Sequence, residues 1–303
     1  MRYFVEQMTL GLTNGAIYAL IALGYTMVYG IIELINFAHG DIFTVGGLIG
    51  LTAIGLLGLD HASPALLIPG VVVVFAVAMG LNGLVGVAIE RVAYRPLRNA
   101  PRLAPLITAV GMSFVLEGII FLLKGSNDIA YPNLLPQGSL NLGLASIGIS
   151  NILIVLIAVV LMVALNQFIR RTRIGRAMRA TAQDRDAARL MGININRTIA
   201  ITFFIGSALA AAGGIINGFY LETIKFDQGF RAGLIAFTAA VFGGIGNVVG
   251  ASIGGFVIGI IIALVAGYFQ GGGQWSDVVV FSILILTLVF RPTGLLGMRV
   301  PEK

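Results

Sequence analysis

Four polar side chains crowd one short stretch of an otherwise apolar chain: Glu33, Asn36, His39 and Asp41, in the run ELINFAHGD. Two carboxylates, an amide and an imidazole at this spacing could relay protons, hydrogen-bond a polar solute or hold a gate. Left in lipid without partners, each would cost several kcal/mol, so they must face protein or a water-lined path. Gly40 follows His39 and frees the backbone there, and a broken helix is tolerated in a membrane only where protein covers it or it lines a cavity. Two readings of the segment stand side by side. It lines or gates a path, or it is an inner-surface turn between two spans, where polar residues are ordinary.

Two further carboxylates lie near apolar runs. Glu90 adjoins Arg91 at an expected membrane surface, whereas Glu117 falls deep within the run 103–123. Glu117 could relay protons, line a path or sit packed and hydrogen-bonded. Other chemistry is closed off. The only histidines are His39 and His61, too few for a metal site at usual ligand spacing, and cysteine is absent, so there is no thiolate nucleophile, thiol metal site or disulfide. No G-x-x-x-x-G-K-[ST] phosphate loop occurs. The chain is expected to be no enzyme and to bind no cofactor of its own.

These residues are carried by membrane helices. Of the 303 residues 58% are hydrophobic and 11% charged, against about 25% charged in a soluble domain, and the mean hydropathy is +0.98. Apolar windows long enough to cross a bilayer run over 8–29, 42–59, 65–89, 103–123, 150–169, 198–220 and 248–268, with shorter ones over 232–246 and 276–290. The expected fold is therefore all-α: one polytopic bundle over 1–303 with eight or nine transmembrane helices and a broken or re-entrant segment near 33–41. Such runs exclude a β-barrel. The first span lacks the basic cluster and cleavage site of a signal peptide and is read as retained.

The 19 Lys and Arg residues cluster: four in 91–102, eight in 170–197 and three in 291–303. The positive-inside rule places those segments in the cytoplasm, and 124–149 and 221–231 outside. Topology thus accounts for the net charge of +6 without a nucleic-acid partner. Within the inner loop, Arg176 to Met191 contains no Gly or Pro and precedes Gly192, a suitable residue for ending a helix, so a cytoplasmic helix of about four turns is predicted. Ala177, Ala180, Ala187 and Met191 would share one face. Arg176, Arg179 and Arg185 could pair with acidic groups of a partner. The outer loop 124–149 reads as a short cap or re-entrant turn.

Small residues recur at four-residue steps, Gly206, Ala210, Gly214 and Gly218 on one helix and Gly246, Gly250 and Gly254 on another. Such stripes allow close approach of helices, within the subunit or against a second one. The Phe-x-x-Gly of FAHGDIFTVGG from Phe37 is echoed by FDQGFRAGLIAFTAAVFGG from Phe226, a hint of internal duplication.

The runs NGAIYALIALGYTMVYGIIELINFAHGDIF, IERVAYRPLR, GRAMRATAQDRDAARLMGIN, AFTAAVFGGIGNVVGASIGG and RPTGLLG resemble, in order from Asn14 to Gly297, the inner-membrane permeases of bacterial ABC importers for branched-chain amino acids, and the shorter, H-type subunit in particular. Urea and amide importer permeases share a similar INxAHG segment. The resemblance implies a multi-pass protein of the bacterial inner membrane that moves leucine, isoleucine or valine. Its implied partners are a related second permease, two cytoplasmic ATPases that bind the ATP, and a periplasmic amino-acid-binding protein. It also maps the loop 170–197 onto the ATPase-coupling element, through Gly175, Arg176, Arg179, Ala180, Ala187, Ala188, Met191 and Gly192. Glu33, Asn36, His39 and Asp41 remain the path or gate residues. Without the resemblance, the rival is a self-sufficient secondary transporter or channel using Glu33, Asp41 or Glu117.

The orientation is directly testable in a chain without cysteine. Gln137→Cys is expected to react with impermeant thiol reagents in intact cells and Gln183→Cys to be spared; the opposite pattern would invert the topology.

Overall fold

The computed structural model describes residues 1–98, 100–101, 103–141 and 146–297. Arg102, part of the outer loop and the final basic residues Arg299 and Lys303 lie outside that range. The chain runs through α1 (Arg2–Ile32), α2 (His39–Leu57), α3 (Pro64–Ile89), α4 (Leu103–Lys124), α5 (Ile149–Arg171), α6 (Arg173–Gln183), α7 (Arg185–Leu190), α8 (Ile195–Leu221), α9 (Gln228–Gly243), α10 (Val248–Tyr268) and α11 (Gly272–Phe290). A wide turn, Glu90–Tyr94, and a tight one, Arg95–Leu97, extend α3. Eight helical segments among the described residues are long and apolar enough to cross a membrane.

The ninth expected span, 232–246, is shorter than a crossing. It belongs to α9, whose 16 residues reach about 24 Å, short of a hydrocarbon core of about 30 Å. Between α4 and α5 the described residues form short strands rather than a helix. These are β1 (Ile129–Ala130), β2 (Ser139–Asn141) and β3 (Ser146–Gly148), with β2 pairing antiparallel to β3 and β1 to β4 (Thr223–Ile224).

Helices α1 and α8 are the most enclosed of the candidate spans, and α4 and α11 the most open. What lets the inner helices approach is the absence of side chains. A methyl group at Gly255 would strike the backbone of Ala19, one at Gly259 that of Gly15, and one at Gly11 that of Ile260, so α1 and α10 touch backbone to backbone. Both four-residue stripes serve packing inside the subunit: Gly206 lies on Gly24, Gly214 on Phe43 and Gly47, Gly218 on Tyr131, Gly250 on Gly243 and Gly254 on Ala239. In lipid, where apolar burial gives helices no preference for one another, close packing of this kind supplies the association energy.

The sequence echo has a structural counterpart. Among the described residues only Glu33 (φ 55°) and Glu222 (φ 57°) are non-glycine residues in the left-handed region. Each closes a long helix, α1 and α8, and each is followed by a short return into α2 or α9. The two Phe-x-x-Gly glycines, Gly40 and Gly229, then lie on each other, since a methyl on either would meet the other's carbonyl oxygen.

The predicted four-turn helix over 176–191 is instead two helices, α6 and α7, divided at Asp184 (φ −155°, ψ 115°). Its carboxylate accepts hydrogen bonds from the N–H groups of Asp186 (2.9 Å) and Ala187 (3.0 Å). An aspartate in that role starts a new helix and stops the old one with no Gly or Pro to announce it.

If glycine contacts hold the bundle, Gly259→Val should destabilise it by about 1–3 kcal/mol through overpacking, whereas Gly55→Val, with open space around its α-carbon, should be neutral. Thermal unfolding in detergent of both variants measures the difference.

Candidate functional site: the helix break and the loop beneath it

The segment between α1 and α2 distributes its four polar residues to four different neighbours. Glu33 caps α1, its N–H donating to Tyr29 O at 2.8 Å, and its exposed side chain stands at a cavity of about 310 Å³ lined also by Leu34, Tyr94, Arg98, Asp184 and Arg185. Asn36 is buried and its Oδ1 accepts from the Tyr94 hydroxyl at 2.8 Å. His39 opens α2 in the interior, its N–H donating to Asn36 O at 3.0 Å and its ring edge-on to Tyr25 with centroids 4.8 Å apart. The imidazole fills the space left by Gly24, where a methyl group would overlap Nε2. Asp41, fully buried, accepts a hydrogen bond from Ser113, midway along α4.

The four therefore do not converge on one chemical centre. Glu33 lies at the end of the bundle that carries the basic loops, Asn36 ties the break to the turn after α3, His39 locks the start of α2 against α1, and Asp41 reaches across to α4. Three supporting residues carry no obvious signal in sequence. Ser113 reads as an ordinary span residue and Tyr94 as part of a basic loop. Asn82, alone in the run 65–89, donates from Nδ2 to Ile42 O (3.0 Å) and Ser207 O (2.8 Å), joining α2, α3 and α8. A single buried amide in an apolar run was the available clue, because such a group needs partners.

Glu90, expected at the surface, is buried and paired with Arg98, which also donates to Asn196 Oδ1 at 2.5 Å at the start of α8. Leaving such a buried carboxylate without its partner would be strongly destabilising.

The loop of α6 and α7 is anchored rather than free. Gly175 packs on the backbone of Ile169, leaving no room for a methyl group, and its N–H donates to Thr172 Oγ1 at 3.0 Å. Arg179 donates to Ile169 O. Arg185 donates to Ile31 O from both Nε (3.2 Å) and Nη2 (2.8 Å), one residue short of the end of α1. Arg179 and Arg185 are thus each anchored by a carbonyl of this chain, and Arg176 and Arg179 stay exposed.

The expected shared face is split as well. Ala180 is half-buried against the bundle and Ala188 is buried, while Ala187 and Met191 point outward. The outward apolar feature is Leu190 and Met191, 89% and 82% exposed. They are closed off by Gly192 (φ 80°), which ends the helix as predicted.

Comparison with known proteins matches these features to a family. The family model described as branched-chain amino acid transport system / permease component covers residues 7–288. The chain is 46% identical over 308 residues, 99% of its length and 98% of the other's, to the high-affinity branched-chain amino acid transport system permease protein BraD of Pseudomonas aeruginosa. It is 45% identical over 309 residues, with the same coverage, to LivH of Escherichia coli K12. It is 31% identical over 297 residues, 92% of this chain and 88% of the other, to a probable branched-chain amino acid transport permease of Methanocaldococcus jannaschii. A break in α1–α2, a loop tied to that break and a match along nearly the whole chain lead to one conclusion: the protein belongs to the branched-chain amino acid transport system permease family.

Proposed function

We propose that this chain is a permease subunit of an ATP-driven importer that carries leucine, isoleucine and valine across the bacterial inner membrane. The observation that carries the reading is the 45–46% identity, over nearly the full length, to permeases named for that transport. Those names favour branched-chain amino acids over the urea and amide alternative. The basic end of the bundle faces the cytoplasm on this reading, and 1–303 acts as one transmembrane domain whose 170–197 loop meets the ATPases. With no phosphate loop in the chain, ATP is bound by two separate ATPase subunits, and substrate is delivered by a periplasmic binding protein.

A second, related permease is the remaining partner. Glu117 is only partly covered and sits on α4 among the exposed Phe114, Val115 and Ile119. A carboxylate that deep in a span is stable against another protein chain or a water-filled path but not against lipid tails.

The loop has the parts that coupling requires. The exposed Ala187, Leu190 and Met191 edge offers an apolar contact for an ATPase, and Arg185 bonds to the carbonyl beside the helix break. Motion imposed on α7 reaches the end of α1 through that bond, two residues before Glu33. Glu33, Asn36, His39 and Asp41 then act as the moving hinge and lining of the path.

Three variants separate docking from transmission. Met191→Asp should weaken co-purification of the ATPases with the permease. Ala180→Trp, whose side chain faces inward, should lower folded yield by overpacking. Arg185→Ala leaves the Ile31 carbonyl without its donor, and it should keep the ATPases bound while cutting leucine uptake per ATP hydrolysed several-fold. Proton-gradient-driven leucine accumulation by this chain alone, without ATPases, would contradict the importer and favour a secondary transporter.

A further inference from the structure

At the crossing of α2 and α9 the bundle holds polar atoms with nothing to bind. Asp41 and Thr44 are fully buried. Among the described residues no donor reaches Asp41 Oδ1, and Thr44 Oγ1 lacks a hydrogen-bond partner. Both come from the start of α2, next to Gly229 of α9, where a methyl group would collide with Thr44 Oγ1 and meet the Asp41 backbone. Buried polar groups are nearly always satisfied, so two neighbouring acceptors without a donor indicate a missing one.

The charge around them indicates its sign. The Glu117 carboxyl, one turn beyond Ser113 on α4, lies within hydrogen-bonding reach of Asp41. Asp227, about half-exposed just ahead of α9 and in a loose ion pair with Lys225 (3.8 Å), adds its field at Glu117. Three carboxyl groups thus step from the surface to the centre of the bundle. Among the described residues no Lys, Arg or His forms an ion pair with Asp41 or Glu117, and the nearby Arg231 is committed to Asp277 by two bonds of 2.9 Å. Two like charges this close cannot both persist unpaired, while the start of α2 favours a negative charge on Asp41.

We propose that the Asp41–Glu117 pair, with the Ser113 and Thr44 hydroxyls, receives the ammonium group of the amino acid in transit, and that Asp227 forms its outer approach. The inference rests on the amino-acid importer reading and deepens it. With the path empty, one proton held between the two carboxyls keeps the pair at a single negative charge. The arriving ammonium takes that position and the proton leaves to the water of the path. An ammonium group has three donors, enough for both carboxyls and a hydroxyl, and the aliphatic side chain is left to the apolar walls of α4. A carboxyl pair of this kind separates amino acids from equally apolar molecules that lack the amine, a distinction an apolar passage alone does not make.

The test uses the complete importer in vesicles with leucine-loaded binding protein. Asp41→Asn keeps the shape and an acceptor for Ser113, and Glu117→Gln does the same at a half-covered position. Each should lower maximal leucine uptake about tenfold or more, as expected for loss of a charged hydrogen bond, with assembly and melting temperature kept, and Glu117→Asp should recover part of the rate. Uptake at the wild-type rate in both neutral variants overturns the proposal. So does a loss of assembly in step with uptake, which makes the pair structural, or a sodium or proton gradient required by the wild type, which assigns the pair to an inorganic cation. A wild-type complex that imports no branched-chain amino acid under any condition would instead contradict the importer reading, a distinguishable result.

Discussion

A bilayer offers no water to a backbone that leaves the helix, and this structure meets that condition for two separate breaks through one contact. Both breaks, after α1 and after α8, return the chain inward, and the helices that follow start against each other through Gly40 and Gly229. Only two residues without side chains can bring backbones so close. The contact covers the polar backbone of the first turns of α2 and α9. It also forces the adjacent side chains, His39, Asp41, Thr44 and Gln228, to find places within the protein. Most of the unusual features of the chain descend from that requirement. His39 occupies the hollow at Gly24, Asn82 crosses from α3 to tie α2 to α8, and Ser113 supplies Asp41 with a hydrogen bond.

The same arrangement links the membrane interior to the loop below it. Arg185 leaves α7 and bonds to the carbonyl of Ile31, and Asn36, a few residues on, bonds to Tyr94 of the turn after α3. Glu90 and Arg98 fasten that turn to the start of α8. A displacement of α7 therefore has a continuous bonded route to the start of α2, through groups with few alternative partners. The loop is thus bonded to the end of α1, beside the break that leads into α2.

Much of this was legible in the amino-acid sequence. The spans, the basic loops and the break at 33–41 follow from hydropathy, charge and one polar cluster, because a lipid environment punishes exceptions severely enough to make them visible. Gly192 was legible as a helix end, and the Phe-x-x-Gly echo pointed to the paired breaks. What stayed hidden depended on partners distant in the chain or on competition between similar local structures. Ser113 could not be matched to Asp41 from spacing, since they belong to different helices. Asp184 looked like one more polar residue in a helix-forming run, yet its side chain caps a new helix. The carbonyls that anchor Arg179 and Arg185 could not be named from sequence, which does not reveal what lies within their reach. The run 232–246 was apolar enough for a span, but α9 starts inside the bundle and need only run to one face.

The central claim is that close contact between Gly40 and Gly229 positions both broken helices. It is tested most directly by the leucine uptake and assembly of Gly40→Ala in the full importer, compared with Gly80→Ala, where a methyl group meets nothing. A single methyl at position 40 would press on the backbone of Gly229 and Gly233, so the account predicts severe loss of uptake for Gly40→Ala and none for Gly80→Ala. Wild-type assembly and uptake in Gly40→Ala would contradict it.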